Sequence, residues 1–157
     1  MMDTLSKIIG IFLAFVLLVA VPLTINTVTD DATAKRLALN EVEAFLDKVS
    51  DKASVNGADI DDLLVGINSY GCAFDAHIYR YKPLISKDAN GNVSTAYVLS
   101  DDNFDALSEN SSVEFEIGDS IQVRVESIGI TWGEQLINSI AGIPATEYKF
   151  TMSARVR

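Results

Sequence analysis

Five groups of residues in this chain have types and spacings that invite chemistry. His77 is its one histidine and Cys72 its one cysteine. Gly118-Asp119-Ser120-Ile121 sets a serine in a glycine turn, where a hydroxyl can attack an acyl carbon. Asp88-x-Asn90-x-Asn92 has the alternating oxygen donors that open a calcium loop, and Asp101, Asp102 and Asp105 form a second acidic group. Each lacks what its chemistry requires. A serine nucleophile needs a general base, usually a histidine oriented by a carboxylate. His77 lies far upstream on an alternating segment, and no Asp-x-x-His occurs. A calcium loop takes Gly at its sixth position and a bidentate Glu at its twelfth, where this chain has Val93 and Leu99. His77 has no second ligand at metal-binding spacing. The expected roles are therefore structural. Ser120 belongs to a turn, Asp88 to Asn92 to a hairpin, and the Asp101 group to a solvated loop. His77 sits on a strand surface beside Tyr79 and Tyr81, and Cys72 packs inside. The chain reads as a non-enzyme with no catalytic, metal or cofactor-binding residues and no cofactor.

The elements that hold these residues begin with an apolar run. Ile8 to Ile25 contains no charged residue in eighteen positions. At 1.5 Å per residue it spans ~27 Å, close to the ~30 Å hydrocarbon core of a bilayer. The run is longer than a secretory h-region, and the Ala32-Thr33-Ala34 triplet lies well beyond it, past Asp30-Asp31. An uncleaved anchor over residues 1–28 is the expectation, with a cleaved signal as the alternative. Lys7 stands on one side of the run and Lys35 and Arg36 on the other, so positive charge barely sets orientation. A short tail before a long acidic domain favours N-in, C-out. Pro22 removes one backbone hydrogen bond and crowds the carbonyl near Leu18, which predicts a kink.

The 157 residues leave room for one further domain, residues 29–157, of ordinary size. Net charge is −10, almost all of the acid following the apolar run. Such a surface repels phosphate backbones, which argues against nucleic acid as a partner. One cysteine excludes an intrachain disulfide framework.

Ala34, Leu37, Ala38, Val42, Phe45, Leu46 and Val49 recur at three- and four-residue steps, one buried stripe of a helix. No Gly or Pro separates this stripe from the apolar run after Pro22. One helix from about Lys7 to Ser50 follows, ending before Asn56-Gly57. A second helix is expected with Asp59 as N-cap, Ile60, Leu63, Leu64 and Ile67 as its apolar stripe, and Gly71 at its C′ position. The period then falls to two. Phe74, Ala76 and Ile78 share one face of a strand, Val93 to Leu99 returns after Asn90-Gly91, and Val113 to Ile117 and Ile121 to Val125 alternate. Thr131 to Ile140 reads as a short amphipathic helix (Trp132, Leu136, Ile137, Ile140) or an ordered loop. Thr146 to Arg157 alternates as a final strand. The class is α+β: a long N-terminal helix, its first half in the membrane, packed on an antiparallel sheet of about 4–5 strands.

An apolar helix continuing into an amphipathic one, with an antiparallel sheet against it, resembles the pilin plan. Asn40 to Val49, Ile60 to Gly71 leading into Phe74-Asp75-Ala76-His77-Ile78, and Gly118 to Val125 are similar to the single-anchor pilin-like proteins of firmicute tight-adherence pilus loci. The resemblance implies a structural protein, a minor pilin or assembly component of a cell-surface filament. Its partners would be copies of itself or other pilin-like subunits, met through the N-terminal helix, together with the membrane. Type IV prepilins place Glu at the fifth position after a Gly cleavage site; counted from Gly10, that position is Phe15. The alternative is a membrane-tethered extracytoplasmic adhesion or ligand-binding module.

Overall fold

The computed structural model describes residues 2–88, 92–105, 107–108, 111–144 and 146–157. It is α+β, with one very long helix packed on antiparallel sheets of four and two strands.

The helix is α1 (Met2–Phe15), a π-helical turn (Val16–Ala20) and α2 (Val21–Lys52) without a break. Thr4–Lys52, 49 residues, is long and apolar enough to cross a membrane; its most apolar window has a mean hydropathy of 2.9 and is 0% buried. The π turn lies just before Pro22. Proline cannot donate to the Leu18 carbonyl and its ring crowds that oxygen, and a widened turn makes the room. The expected kink thus takes the form of a local change of helical period. Hydroxyls within and beyond the apolar half bond back to the helix: Thr24 donates to Ala20 O at 2.8 Å and Thr27 to Leu23 O at 2.9 Å. Such back-bonding lets threonine enter an apolar medium with its hydroxyl satisfied.

Ala34, Ala38, Val42, Phe45, Leu46 and Val49 are buried on α2, the stripe the spacing predicts. They pack against the inner face of the sheet, where Phe74, Ala76, Ile78, Ile121, Val123 and Val125 are buried. Burying each large apolar side chain contributes about 1.5–3 kcal/mol, so this helix–sheet layer dominates the stability of the domain.

Helix α2 ends at Lys52 with Ala53 left-handed (φ 50), and the chain enters β1 (Ser54–Asn56). Helix α3 (Gly57–Asn68) follows. Its N-cap is Asn56, not Asp59. The Asn56 side chain accepts from Asp59 N at 2.8 Å, and the Asp59 carboxylate accepts from Asn56 N at 3.2 Å. Asp59 is the other half of the capping box, because the helix starts three residues earlier than its first acidic residue suggests. The C-cap is Ser69, so C′ is Tyr70 and Gly71 (φ 85), expected there, lies one residue further on. Leu63 and Ile67 are buried, with Ile60 and Leu64 partly so.

Strand β2 (Phe74–Lys87) pairs with β3 (Val93–Leu99) on one side and β5 (Ser120–Ser127) on the other, and β6 (Lys149–Arg155) closes the order β3-β2-β5-β6. The Lys87↔Val93 register places the expected hairpin correctly; its tip at residues 89–91 lies outside the described residues. Strand β4 (Ser112–Glu114) does not join this sheet. It pairs with β1, Val55 opposite Val113, in a two-stranded sheet of its own. The alternation through Ile117 therefore overstates the strand: Phe115 is buried but Ile117 is 82% exposed.

Helix α4 (Trp132–Ala141) is capped by Thr131 and ends on left-handed Gly142. It is a helix, as one of the two expectations had it. Leu136 and Ile137 are half-buried, while Trp132 and Ile140 are exposed.

Candidate functional site

The acyl-nucleophile motif is part of the domain's internal ion pair. Asp119 and Arg80 are buried, and Asp119 Oδ2 accepts from Arg80 Nε at 2.7 Å and from Glu116 N at 3.0 Å. Arg80 Nη2 approaches the same oxygen at 2.5 Å, and Nη1 reaches Asp102 Oδ2 at 3.1 Å. Its guanidinium also stacks 5.1 Å from the Phe115 ring centroid. Gly118 takes φ 97 to turn the chain into this arrangement. Ser120 begins β5 opposite Tyr81, and His77 pairs four residues further along, opposite Arg124, so ~13 Å of strand separates the two. His77 is out of reach of Ser120.

Asp102 is therefore not a solvated loop residue. Burial alone would raise its carboxyl pKa, but hydrogen bonds from Ser100 and Arg80 outweigh that and hold it below the usual range. Arg80 lies on the core-facing parity of β2 with Phe74, Ala76 and Ile78. A cation at an inward position was the available sign of a buried pair, and apolar pattern reading passes over it.

His77 is partly exposed between Asp75 (3.6 Å) and Asp105 (3.8 Å). Tyr81 donates to Gln122 across the same outer face at 3.0 Å. Asp88 accepts from Asn92 N at 2.8 Å and Asn92 Nδ2 at 3.0 Å, the bonds of a closing hairpin; Asn90 lies outside the described residues. Among the described residues, no three His, Cys, Asp or Glu side chains converge as a metal set.

A concavity of about 630 Å³ lies where α2 leaves its apolar half. Asp31, Cys72, Thr131 and Trp132 line it. Thr131 donates its hydroxyl to Asp31 Oδ2, and Cys72 Sγ donates to Asp31 Oδ1 at 3.6 Å. Lys35 Nζ meets Glu134 Oε1 at 2.5 Å, and Glu134 Oε2 accepts from Thr131 N at 3.3 Å. Gly133 lets the two helices approach closely: a Cβ would lie 2.6 Å from Asp31 Oδ2, so the carboxylate would have to shift. Burial pushes the Cys72 thiol up, and the neighbouring Asp31 carboxylate pushes it further. The sulfur is thus a protonated hydrogen-bond donor at neutral pH, unsuited to nucleophilic or thiolate chemistry. This polar clasp fastens α4 to α2.

Apolar surface remains open on the N-terminal helix and on the β2–β3 hairpin, among other places. Residues 4–23 are exposed at every position. Beyond Tyr81, β2 pairs only with β3, forming a two-stranded ribbon that projects past the sheet with Leu84, Ile85, Val93 and Val98 exposed. An isolated two-stranded ribbon is marginal in water.

No protein-family model, curated protein or solved structure matches the chain.

Proposed function

We propose that this protein is a pilin-like structural subunit, a minor pilin or assembly component of a cell-surface filament. Its N-terminal helix anchors it in the cell membrane as a single pass, N-in and C-out, with the α+β domain extracytoplasmic. The observation that carries this reading is the continuity of the helix. Its exposed apolar half runs without a loop into the half that forms the domain core. A simple tether has no need of this, since a flexible linker holds a domain to a membrane equally well. A rigid helix fixes the domain's position relative to whatever packs on the apolar half, as assembly into a filament demands. The projecting ribbon supplies a second face for a neighbouring subunit.

The reading is tested with the full chain in a mild detergent. Single cysteines at Leu17 and at Glu43, an exposed position on α2, should cross-link copies of the chain. Deleting residues 1–25 should abolish that association. If the shortened chain still associates as before, or the full chain is monomeric throughout, the helix is no assembly element. The second reading, a tethered ligand-binding module, is favoured only by the Asp31–Cys72–Thr131 cleft. It predicts a monomer whose Asp31→Asn variant loses a ligand that the parent retains.

A further inference from the structure

We infer that α4, with Ile143 just beyond it, is a second membrane contact, dipping into the lipid interface beside the anchor on the domain side of the bilayer. The proposal rests on the membrane-anchoring part of the reading above and not on filament assembly.

Three independent observations carry it. The first is position. Glu134 meets Lys35 at 2.5 Å and Gly133 abuts Asp31, so the N-terminal end of α4 is level with the polar start of the soluble half of α2. Its other end lies lower: Ile140 shares an open apolar groove with Val16, Ala20, Val21, Thr24 and Ile25. Helix α4 thus runs antiparallel to the anchor and descends alongside it. If the apolar run ends at the hydrocarbon boundary near Ile25, the level of Ala20 is ~7.5 Å inside that boundary. Amphipathic interfacial helices bury their apolar face ~5–10 Å deep. Trp132, near Asp31, falls at headgroup level, where tryptophan is enriched.

The second is exposure. Trp132 is 71% exposed, Ile140 71% and Ile143 56%, with Ile128 and Ile130 also open. Among the described residues, no element covers this face. It is continuous with the exposed apolar surface of the anchor through the shared groove.

The third is charge. Residues 128–146 contain one ionisable side chain, Glu134, in a chain of which 22% is charged. That one is neutralised by Lys35. The ends of α4 are closed by its own cap residues, Thr131 with Glu134 at the start and Gly142 at the end. Gln135 and Asn138 remain exposed on it, so α4 keeps a polar side toward water as an interfacial helix does. With the domain acidic overall, attraction comes from the apolar face and not from anionic headgroups.

Trp132 is the only tryptophan, so it reports directly. The full chain is reconstituted in neutral phosphatidylcholine vesicles containing lipids brominated at a shallow or a deep acyl position. The expected result is blue-shifted emission that the shallow bromines quench more than the deep ones. In a Trp132→Phe background, Ile140→Trp should report a deeper position than Trp132, and Leu17→Trp should report the bilayer centre. Unquenched Trp132 and Ile140→Trp with quenched Leu17→Trp overturns the lipid contact while the anchor stands. Loss of quenching at Leu17→Trp overturns the anchor itself. Trp132 emission that is blue-shifted but indifferent to bromine, and that shifts red on dilution of protein in lipid, assigns the face to a second copy and also overturns the proposal.

Discussion

Replacing Asp119 by Asn should reveal how much of the domain hangs on one buried ion pair. Asp119 Oδ2 faces Arg80 Nε at 2.7 Å and Nη2 at 2.5 Å, and the two side chains are only 2% and 6% exposed. Asparagine keeps the shape and can still accept from Glu116 N, but it leaves the guanidinium buried beside a neutral amide. Breaking a buried pair from one side costs about 3–5 kcal/mol, because a charge is stranded rather than an attraction lost. Asp102 remains 3.1 Å from Nη1 and is 29% exposed, which places the expectation at the lower end, about 3 kcal/mol. For a domain of this size that corresponds to a fall in Tm of roughly 12 °C. Near-UV circular dichroism of the detergent-solubilised chain should show it as a single shifted transition. Ser120→Ala, one residue away, should stay within about 0.5 kcal/mol, as a substitution outside any such network. Arg80→Met combined with Asp119→Leu should lose less than the two single changes added together. An Asp119→Asn melt within about 2 °C of the parent would refute the assignment.

Gly133→Ala should loosen the clasp. Its Cβ would meet an Asp31 carboxylate already bound to Thr131 and Cys72, costing about 1–3 kcal/mol, read as faster proteolysis at α4 before the core yields. The Cys72 thiol should resist iodoacetamide at pH 7 in the folded chain and react promptly in urea; an equal rate in both would contradict its buried, Asp31-bound state. Asp59 links stability to pH. Burial alone would raise its pKa, but bonds from Lys48, Lys52 and Asn56 N outweigh that and hold it below an unfolded carboxylate. Its contribution is therefore full above about pH 4 and is lost as pH falls through the lower folded value. Asp59→Asn should lower the urea midpoint at pH 7 by about 1–2 kcal/mol equivalent, and the gap to the parent should narrow on acidification.

The elements that were legible in the sequence are those set by local period. The α2 stripe from Ala34 to Val49, the inward triplet Phe74, Ala76 and Ile78, and the final strand follow from spacing alone, because one face of a helix or strand must leave water. Spacing places the N-cap of α3 at Asp59, three residues late, because Asp59 and Asn56 are both good cap residues. Only the path of the chain out of Ala53 and through β1 decides between them.

By itself the sequence determined that a charge-free stretch from Ile8 to Ile25 runs into an amphipathic helix, and that no histidine or cysteine set was present to do chemistry. The tertiary structure decided what the remaining polar residues are for. Arg80 met Asp119 and Asp102 across separations of 39 and 22 residues, and Lys35 met Glu134 across 99. It also decided that Trp132 and Ile140 face outward, Ile140 beside the apolar half of the long helix, where helical spacing alone assigns both to a core. The physical reason is the same in both cases. Period reports which side chains share a face, whereas the partner of a charge and the medium against an apolar face depend on which elements the fold brings alongside.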